Sequence, residues 1–531
     1  MGPPVPPHPR AASASLTGRR TSGDFSRGHH AVMFAALLAP SPALAVDEVN
    51  TKRLRDAVTV AGILGHERIF QRIANQNGGT RALGTPGFDA SADYVAGRLR
   101  AAGYTVSQQE FTFPFYQELE PAELEQVSPT PQDYETGTYD FSGSGEVTGV
   151  VVPTNDIVIP ATPEPSSTSG CEDADFAPAP ADEPAVALIQ RGTCTFEEKA
   201  ANAVEAGYDA VIIFNEGNPG RTELFIGTLG NPFEIPVVGL SFADGAALYA
   251  QIQAGGEVVV RVRTRTEIDL DRTTRNVIAD SPTGNANRVV VVGAHLDSVV
   301  PGPGINDNGS GSSTILEIAE EMAELGIRNR QKVRFAFWGA EESGLLGSEH
   351  YVDSLSNEEL QDIVANLNFD MLGSPNYVRF VYDGDGSATG TDGPPGSAQI
   401  ETLFNNYFAS QGLATEPTAF DGRSDYGPFI AVGIPAGGLF SGAEGEKTAE
   451  EAAVYGGTAG EPYDPCYHQA CDDITNLNTK ALFELGDGAA HAVMTLARTR
   501  TGFFEDGSFR ARARAGVSAK RLPFSGPQAA A

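Results

Sequence analysis

The sequence predicts an α/β protein: a mostly parallel, doubly wound sheet flanked by helices, with a second, smaller α/β unit inserted into it. Three observations predict it. The stretch Arg288–Gly311, RVVVVGAHLDSVVPGPGINDNGSG, opens with four valines and no polar residue among them. Such a run describes a strand covered on both faces, as strands of parallel sheets are. From Asn276 onward, strand-like runs alternate with helical patterns, the signature of βαβ units. Between about Leu119 and Arg263 the composition shifts to acidic and proline-rich loops around short apolar runs, so this stretch interrupts the larger unit.

The whole chain sets bounds on this reading. Its 531 residues leave room for two compact domains plus tails, and 41% hydrophobic content is enough for a sizeable core. A formal net charge of −33 argues against a nucleic-acid partner. No run after the N-terminus is apolar for long enough to span a bilayer. Near the start, Arg19, Arg20 and Arg27 precede the apolar run Ala31–Leu38, and Ala43-Leu44-Ala45 offers a small-x-small cleavage site. That is the layout of a secretory signal, with maturation near Val46 and Met33 as an alternative start. The expected destination is therefore extracellular. The four cysteines fall into two local pairs, Cys171 with Cys194 and Cys466 with Cys471. An even count in an exported chain predicts two short-range disulfides, and the spacing of a four-cysteine zinc site is absent.

In chain order, helical patterns cover Leu54–Gln76 and Ala90–Ala102, joined by GTRALGTPGFDAS, with Asp89 or Ser91 as candidate cap of the second. Tyr104–Phe115 alternates as an amphipathic strand does. The inserted stretch carries β-like runs at Gly149–Val152, Ala185–Gln190, Ala210–Phe214 and Glu257–Val262, and a helix between Cys194 and Gly207. Asn276–Asp280 and the valine run are the next strands. Ser312–Leu325 is a helix with Ile315, Leu316, Ile318, Ala319 and Met322 on its buried side. Strands follow at Lys332–Trp338, Ile363–Asp370 and Gly433–Phe440, helices around Gly347–Asp353 and at Ile400–Gln411, and Phe420–Tyr426 is a loop. Lys480–Arg498 is the closing helix, and the basic tail beyond Gly502 is expected to be disordered. The expected division is 1–45 targeting segment, 46–118 first part of the larger domain, 119–265 insert, 266–502 remainder of the larger domain, and 503–531 tail.

The strand ends and glycine-rich loops present His295, Asp297, Asp307, Glu341, Glu342, Asp370 and His468. Active sites of open α/β sheets lie beyond such strand ends. Two imidazoles and several carboxylates suit zinc, with oxygen donors enough for a second divalent ion. A metal pair about 3.5–4 Å apart needs a bridging carboxylate and terminal ligands for each ion. Asp307 fits the bridge, His295 with Asp370 one metal, and Glu342 with His468 the other. Glu341 is left over, free to take a proton from an attacking water and return it to a leaving amine. Each piece alone is commonplace: an adjacent Glu-Glu is usually a solvated helix start, and His350 and His491 sit in ordinary helical patterns. The succession of strand ends carrying such residues is not commonplace.

The segments AHLDS, GINDNGSG, FWGAEESGLLGS and NFDMLGS and the late Tyr467-His468 pair, in this order, resemble those of the secreted dinuclear zinc aminopeptidases of the bacterial leucyl-aminopeptidase type. The likeness runs over Asn50–Gln117 and Asp271–Ala497. The resemblance implies a zinc-exopeptidase-like fold, two zinc ions, and His295, Asp307, Glu342, Asp370 and His468 as their ligands. It implies Glu341 as general base, Tyr467 as the phenol that steadies the tetrahedral oxyanion, and Asp297 as the acid that orients the histidine. Arg423 in DGRSDYGPF matches an arginine near the substrate, and Cys466–Cys471 matches a family bridge. The insert, with QRGTCTFEEKAANAVEAGYDAVIIFN and PVVGLSFADGAAL, is similar to a protease-associated domain, which is non-catalytic. Together these imply a monomeric, secreted aminopeptidase acting on peptide or protein N-termini, with a large apolar first residue preferred. The runner-up is a carboxypeptidase or dipeptidase of the same superfamily. Non-catalytic receptor relatives lose ligands or the base, whereas every expected position is filled here.

Overall fold

The computed structural model describes residues 49–162, 167–502 and Ser508. The targeting segment 1–45 and, apart from Ser508, the tail 503–531 lie outside the described residues. The first expected helix is in fact two, α1 (Lys52–Arg55) and α2 (Val60–Gln76). Thr59 adopts an extended conformation, and its side chain accepts a hydrogen bond from the Gly62 N–H, so a new N-cap interrupts the pattern. Helix α3 (Pro86–Ala101) starts earlier than the apolar pattern implied, because Thr85 caps it and Pro86 sits in its first turn. Asp89 and Ser91 lie inside the helix.

Strand β1 (Thr105–Ser128) runs well past the expected Phe115 and leads into the insert. There β2 (Gln132–Tyr134), β3 (Gly137–Thr138), β4 (Gly145–Pro153), β5 (Ala185–Gln190), α4 (Phe196–Glu205), β6 (Ala210–Phe214), β7 (Val237–Leu240) and α5 (Phe242–Gln253) follow in turn. Strands β4, β5, β6 and β7 are parallel neighbours. Alternation along β5 feeds two separate cores: Val186 and Leu188 pack with Val260 and Leu248, while Ala187 and Ile189 pack with Phe196 and Ala200. Strand β8 (Val259–Asp280) returns antiparallel to β1 over nearly its whole length, from Thr105 opposite Asp280 to Ser128 opposite Val259. Both disulfides form as expected, Cys171–Cys194 and Cys466–Cys471.

The larger unit continues with β9 (Asn285–His295), α6 (Gly311–Glu324), β10 (Gln331–Trp338), α7 (Leu346–Ser354), α8 (Asn357–Asp362) and β11 (Ile363–Phe369). After these come β12 (Phe380–Tyr382), α9 (Ser397–Ser410), β13 (Glu416–Thr418), α10 (Gly427–Ala431), β14 (Ala436–Phe440), α11 (Ala449–Tyr455) and α12 (Thr479–Arg498). The centre of its sheet, in the order β10-β9-β11-β14, is parallel. The flanks are antiparallel to that centre, β8 beside β10 and β12 beside β14. The valine run behaves as its sequence requires: Val290 and Val292 face one core with Ile315 and Leu367, while Val289 and Val291 face another with Trp338 and Phe429. The short elements β12, β13, α10 and α11 carry no periodicity that a sequence reading detects; strand pairing holds β12 and β13, and the Thr448–Glu451 capping box holds α11. Among the described residues, no helix is long and apolar enough to cross a membrane.

Candidate metal centre

The parallel strands all point their C-terminal ends at one place. His295 is the last residue of β9, Glu341 and Glu342 follow β10, and Asp370 follows β11. Asp307 lies in the kinked segment Ile305–Ser310 ahead of α6, where its own backbone is not helical (φ −108°, ψ 99°), and a cis peptide joins it to Asn308. Tyr467 and His468 come from the loop before α12, between the paired Cys466 and Cys471. Ala340, Met371 and His468 adopt positive φ, at 60°, 52° and 57°. Backbone held in that region by surrounding structure is a common mark of functional sites.

The sequence-predicted residues meet. The His295 Nε2 lies 3.2 Å from Asp307 Oδ1 and 3.3 Å from Asp370 Oδ1. The His468 Nε2 lies 3.2 Å from Asp307 Oδ2 and 3.0 Å from Glu342 Oε2. The two oxygens of Asp307 thus face two different His–carboxylate pairs. Glu341 stands beside them, its Oε2 3.8 Å from His295 Nε2. Asp297 lies behind: it is fully buried, its carbonyl is 3.2 Å from His295 Nδ1, and its carboxylate accepts the N–H groups of Glu341 and Glu342, both at 3.3 Å. Arg423 donates to Glu444 at 2.7 Å and to the Tyr467 oxygen at 3.4 Å, and the Tyr467 ring stacks on His468 at 3.8 Å. The two histidines set aside on sequence lie elsewhere, His350 stacked on Phe111 and His491 on Tyr407.

Burial and mutual charge dominate the electrostatics. Burial opposes the imidazolium of His468, but Glu342 and Asp307 outweigh it and lift the group to about 11. The same balance, with Glu341 and Asp370 as the leading carboxylates, holds His295 well above its ordinary value. Burial raises Glu342 to about 7, helped by Asp307, and raises Glu341 well above the usual carboxylate range. Burial and the neighbouring Asp307 and Glu342 push Tyr467 upward, so its phenol keeps its proton. Glu342 Oε1 and Asp370 Oδ1 are buried without a hydrogen-bond partner. A cluster of carboxylates with orphaned oxygens and two imidazoles is a donor set for divalent cations. His295, Glu341 and Asp370 offer ligand atoms within 4.8 Å of one another, and so do His295, Asp307 and Glu342.

Several residues that hold this arrangement escaped the sequence reading. Asn306 and Asn308 flank Asp307 and stitch its turn to the end of β11: Asn308 donates to the Phe369 carbonyl at 2.9 Å, and Asn306 accepts the Gly373 N–H at 3.0 Å. Asp472 accepts the backbone N–H groups of Asn306 and Asp307, at 2.8 and 3.0 Å. Ser424 donates to Asp370 Oδ2 at 2.5 Å and accepts from Asn368 at 2.7 Å. Arg81 reaches the site from the turn between α2 and α3. Asn306 and Asn308 lie in GINDNGSG, Arg81 in GTRALGTPGFDAS and Ser424 in DGRSDYGPF, but residue type and spacing gave none of them a role.

Two regions of the chain match models of known protein families. Residues 276–493 match the family model of Peptidase family M28, and residues 147–248 match that of the PA domain. An aminopeptidase of Pseudomonas aeruginosa (strain UCBPP-PA14) is 48% identical over 478 residues, covering 85% of this chain and 87% of that protein. Leucine aminopeptidase 2 of Arthroderma otae is 40% identical, covering 80% of this chain and 81% of that protein. Among solved structures, a zinc aminopeptidase from Bacillus subtilis superposes with a TM-score of 0.58 at 26% identity, covering 85% of this chain and 99% of that one.

Proposed function

The chain belongs to peptidase family M28, and from that premise we propose that it is a secreted, two-zinc aminopeptidase that removes N-terminal residues, large apolar ones first, from peptides. The observation that carries the reading is the Asp307 carboxylate, whose two oxygens each stand 3.2 Å from a different histidine. In this proposal His295, Asp370 and Asp307 would hold one zinc, and Glu342, His468 and Asp307 the other. The names of the Pseudomonas and Arthroderma relatives support aminopeptidase action and an apolar first residue, and the Bacillus neighbour supports zinc. Two disulfides are compatible with export. The proposed domains keep the divisions 46–118, 119–265 and 266–502, and a single chain supplies every proposed site residue.

When bound, the zinc ions supply Lewis acidity toward the scissile carbonyl and lower the pKa of water. Glu341, uncommitted to either histidine pair, takes the proton of the attacking water and delivers it to the departing amine. The Tyr467 phenol keeps its proton among the nearby carboxylates and donates a hydrogen bond to the oxyanion. Because Arg423 donates to the phenol oxygen, the phenol proton is left to point elsewhere. Recognition of the free α-amine near Asp370, which the family resemblance implies, would make the reaction an exopeptidase reaction. Asp297 keeps His295 in place and holds the two glutamates by their N–H groups.

The test is hydrolysis of leucine p-nitroanilide beside its N-acetylated form, before and after chelation, and by Glu341→Gln. Turnover of the free amine alone is expected, lost on chelation. In Glu341→Gln it falls about 10²–10⁴-fold with metal retained. Equal turnover of the blocked substrate would overturn the exopeptidase reading, whereas bound metal with no turnover of this substrate or of a panel of dipeptides would bring the carboxypeptidase alternative forward.

A further inference from the structure

We infer that Arg81 is a positioning residue of this centre: its guanidinium clamps both ends of the loop 296–304 and thereby sets where His295, Asp297 and Asp307 stand. The inference rests on the two-zinc reading above. Arg81 comes from GTRALG, the turn between α2 and α3, and is fully buried. Its Nη1 donates to the Leu296 carbonyl at 2.5 Å, its Nε to Pro303 at 2.8 Å and its Nη2 to Gly304 at 2.5 Å. Leu296 lies between His295 and Asp297, and Gly304 is three residues ahead of Asp307. The Arg81 backbone closes the same loop from another side: its N–H donates to Ser298 Oγ at 3.1 Å, and its carbonyl accepts the Ser298 N–H at 3.4 Å.

The way these hydrogen bonds are spent decides between anchoring and mere charge balance. All three from the guanidinium end on backbone carbonyls, and among the described residues Arg81 forms no ion pair, although it is buried near Glu67, Asp472, Asp297 and Asp307. A buried guanidinium is expensive to desolvate. Here that cost is met by fixing three carbonyls along one loop, which only a rigid planar fork does at once. Two further features keep the fork in place. The Phe70 ring lies 4.9 Å from the guanidinium carbon. Gly309 leaves room on the other side, where a Cβ would come within 2.8 Å of Glu67 Oε2 and 3.7 Å of Arg81 Nη2. Gly304 itself has φ +59°, and a Cβ there would meet the Asp307 carbonyl at 2.4 Å. The clamp therefore grips the chain where it turns toward the bridging carboxylate. Outer partners that orient metal ligands are commonly worth about 10–100-fold in metal affinity.

The test compares Arg81→Lys and Arg81→Met with the unaltered full chain. Three readouts are taken: amide exchange of residues 296–307 without metal, zinc affinity by chelator competition, and the visible spectrum of the cobalt-loaded protein. The expected result for Arg81→Lys is faster exchange in the loop, zinc binding weakened about 10–100-fold, a shifted cobalt band, and a lower kcat with KM little changed. Arg81→Met shows the same changes, larger, with lysine as the partial rescue. If Arg81→Met does not fold, Arg81→Lys decides alone. A lysine variant with unaltered exchange, zinc affinity and cobalt spectrum overturns the inference. If the unaltered chain binds no zinc, the function proposed above fails, and the exchange measurement still decides whether Arg81 holds the loop.

Discussion

Replacing Asp472 by Asn tests how the two ligand-bearing loops are tied together. Asp472 is 2% exposed and lies just beyond the disulfide loop that carries His468. Its Oδ1 accepts the Asn306 N–H at 2.8 Å and an Asn476 amide hydrogen at 3.1 Å, and its Oδ2 accepts the Asp307 N–H at 3.0 Å. Asparagine has the same shape but only one accepting oxygen. With that oxygen in the Oδ1 position, the Asp307 N–H faces an NH₂ group; with the amide flipped, the Asn306 N–H loses its acceptor instead, while the Asn476 amide keeps Asp464. At least one buried N–H is orphaned either way, a cost of about 1–3 kcal/mol. Part of this is returned, because burial already raises the Asp472 carboxyl to about 7 against the two backbone hydrogen bonds that lower it. No cavity forms, so packing contributes little. The assay is native-state amide exchange at Asn306 and Asp307 in metal-free protein, where 1–3 kcal/mol corresponds to exchange about 5–150-fold faster. Zinc affinity should fall in step. Unchanged exchange at these two amides, with the variant folded, would refute the claim that Asp472 ties the loops.

Two other perturbations probe separate links. Ser424→Ala removes the donor to Asp370 Oδ2 and should weaken zinc binding about tenfold, read by chelator competition; an unchanged affinity removes Ser424 from the account. His491 packs on Tyr407 and bonds Thr51 at 2.9 Å, and burial, with Arg55 nearby, pushes it down to about 4 from 6.5. The unfolded chain therefore takes up a proton that the folded chain refuses. Stability is fully present above pH 6.5 and is lost as the pH falls toward about 4, by up to about 3 kcal/mol. Thermal unfolding of His491→Phe should decline less than that of the unaltered chain across this window, and parallel declines would contradict the assignment.

Much of this protein is legible along the chain because some of its physics is local. Val289–Val292 reads as a strand covered on both faces, and the structure buries two valines in each of two cores. Acids and imidazoles standing at successive strand ends announce a cation site before any distance is known, since βαβ order carries parallel strand ends to one edge. The insert is visible for a similar reason, as its runs and helix complete a core without borrowing from the rest. Folding alone decided the rest. Thr59 split a continuous helical pattern because one side-chain oxygen met the Gly62 N–H. β12 and β13 are strands only because an edge was there to pair with. Arg81, Asp472 and Ser424 look like any other arginine, aspartate or serine in a polar loop. What they do depends on carbonyls, N–H groups and a carboxylate brought from 215, 165 and 54 residues away. Residue type and spacing record which groups could bind a metal, whereas the hydrogen bonds that hold those groups in register exist only between segments that the closed fold brings together.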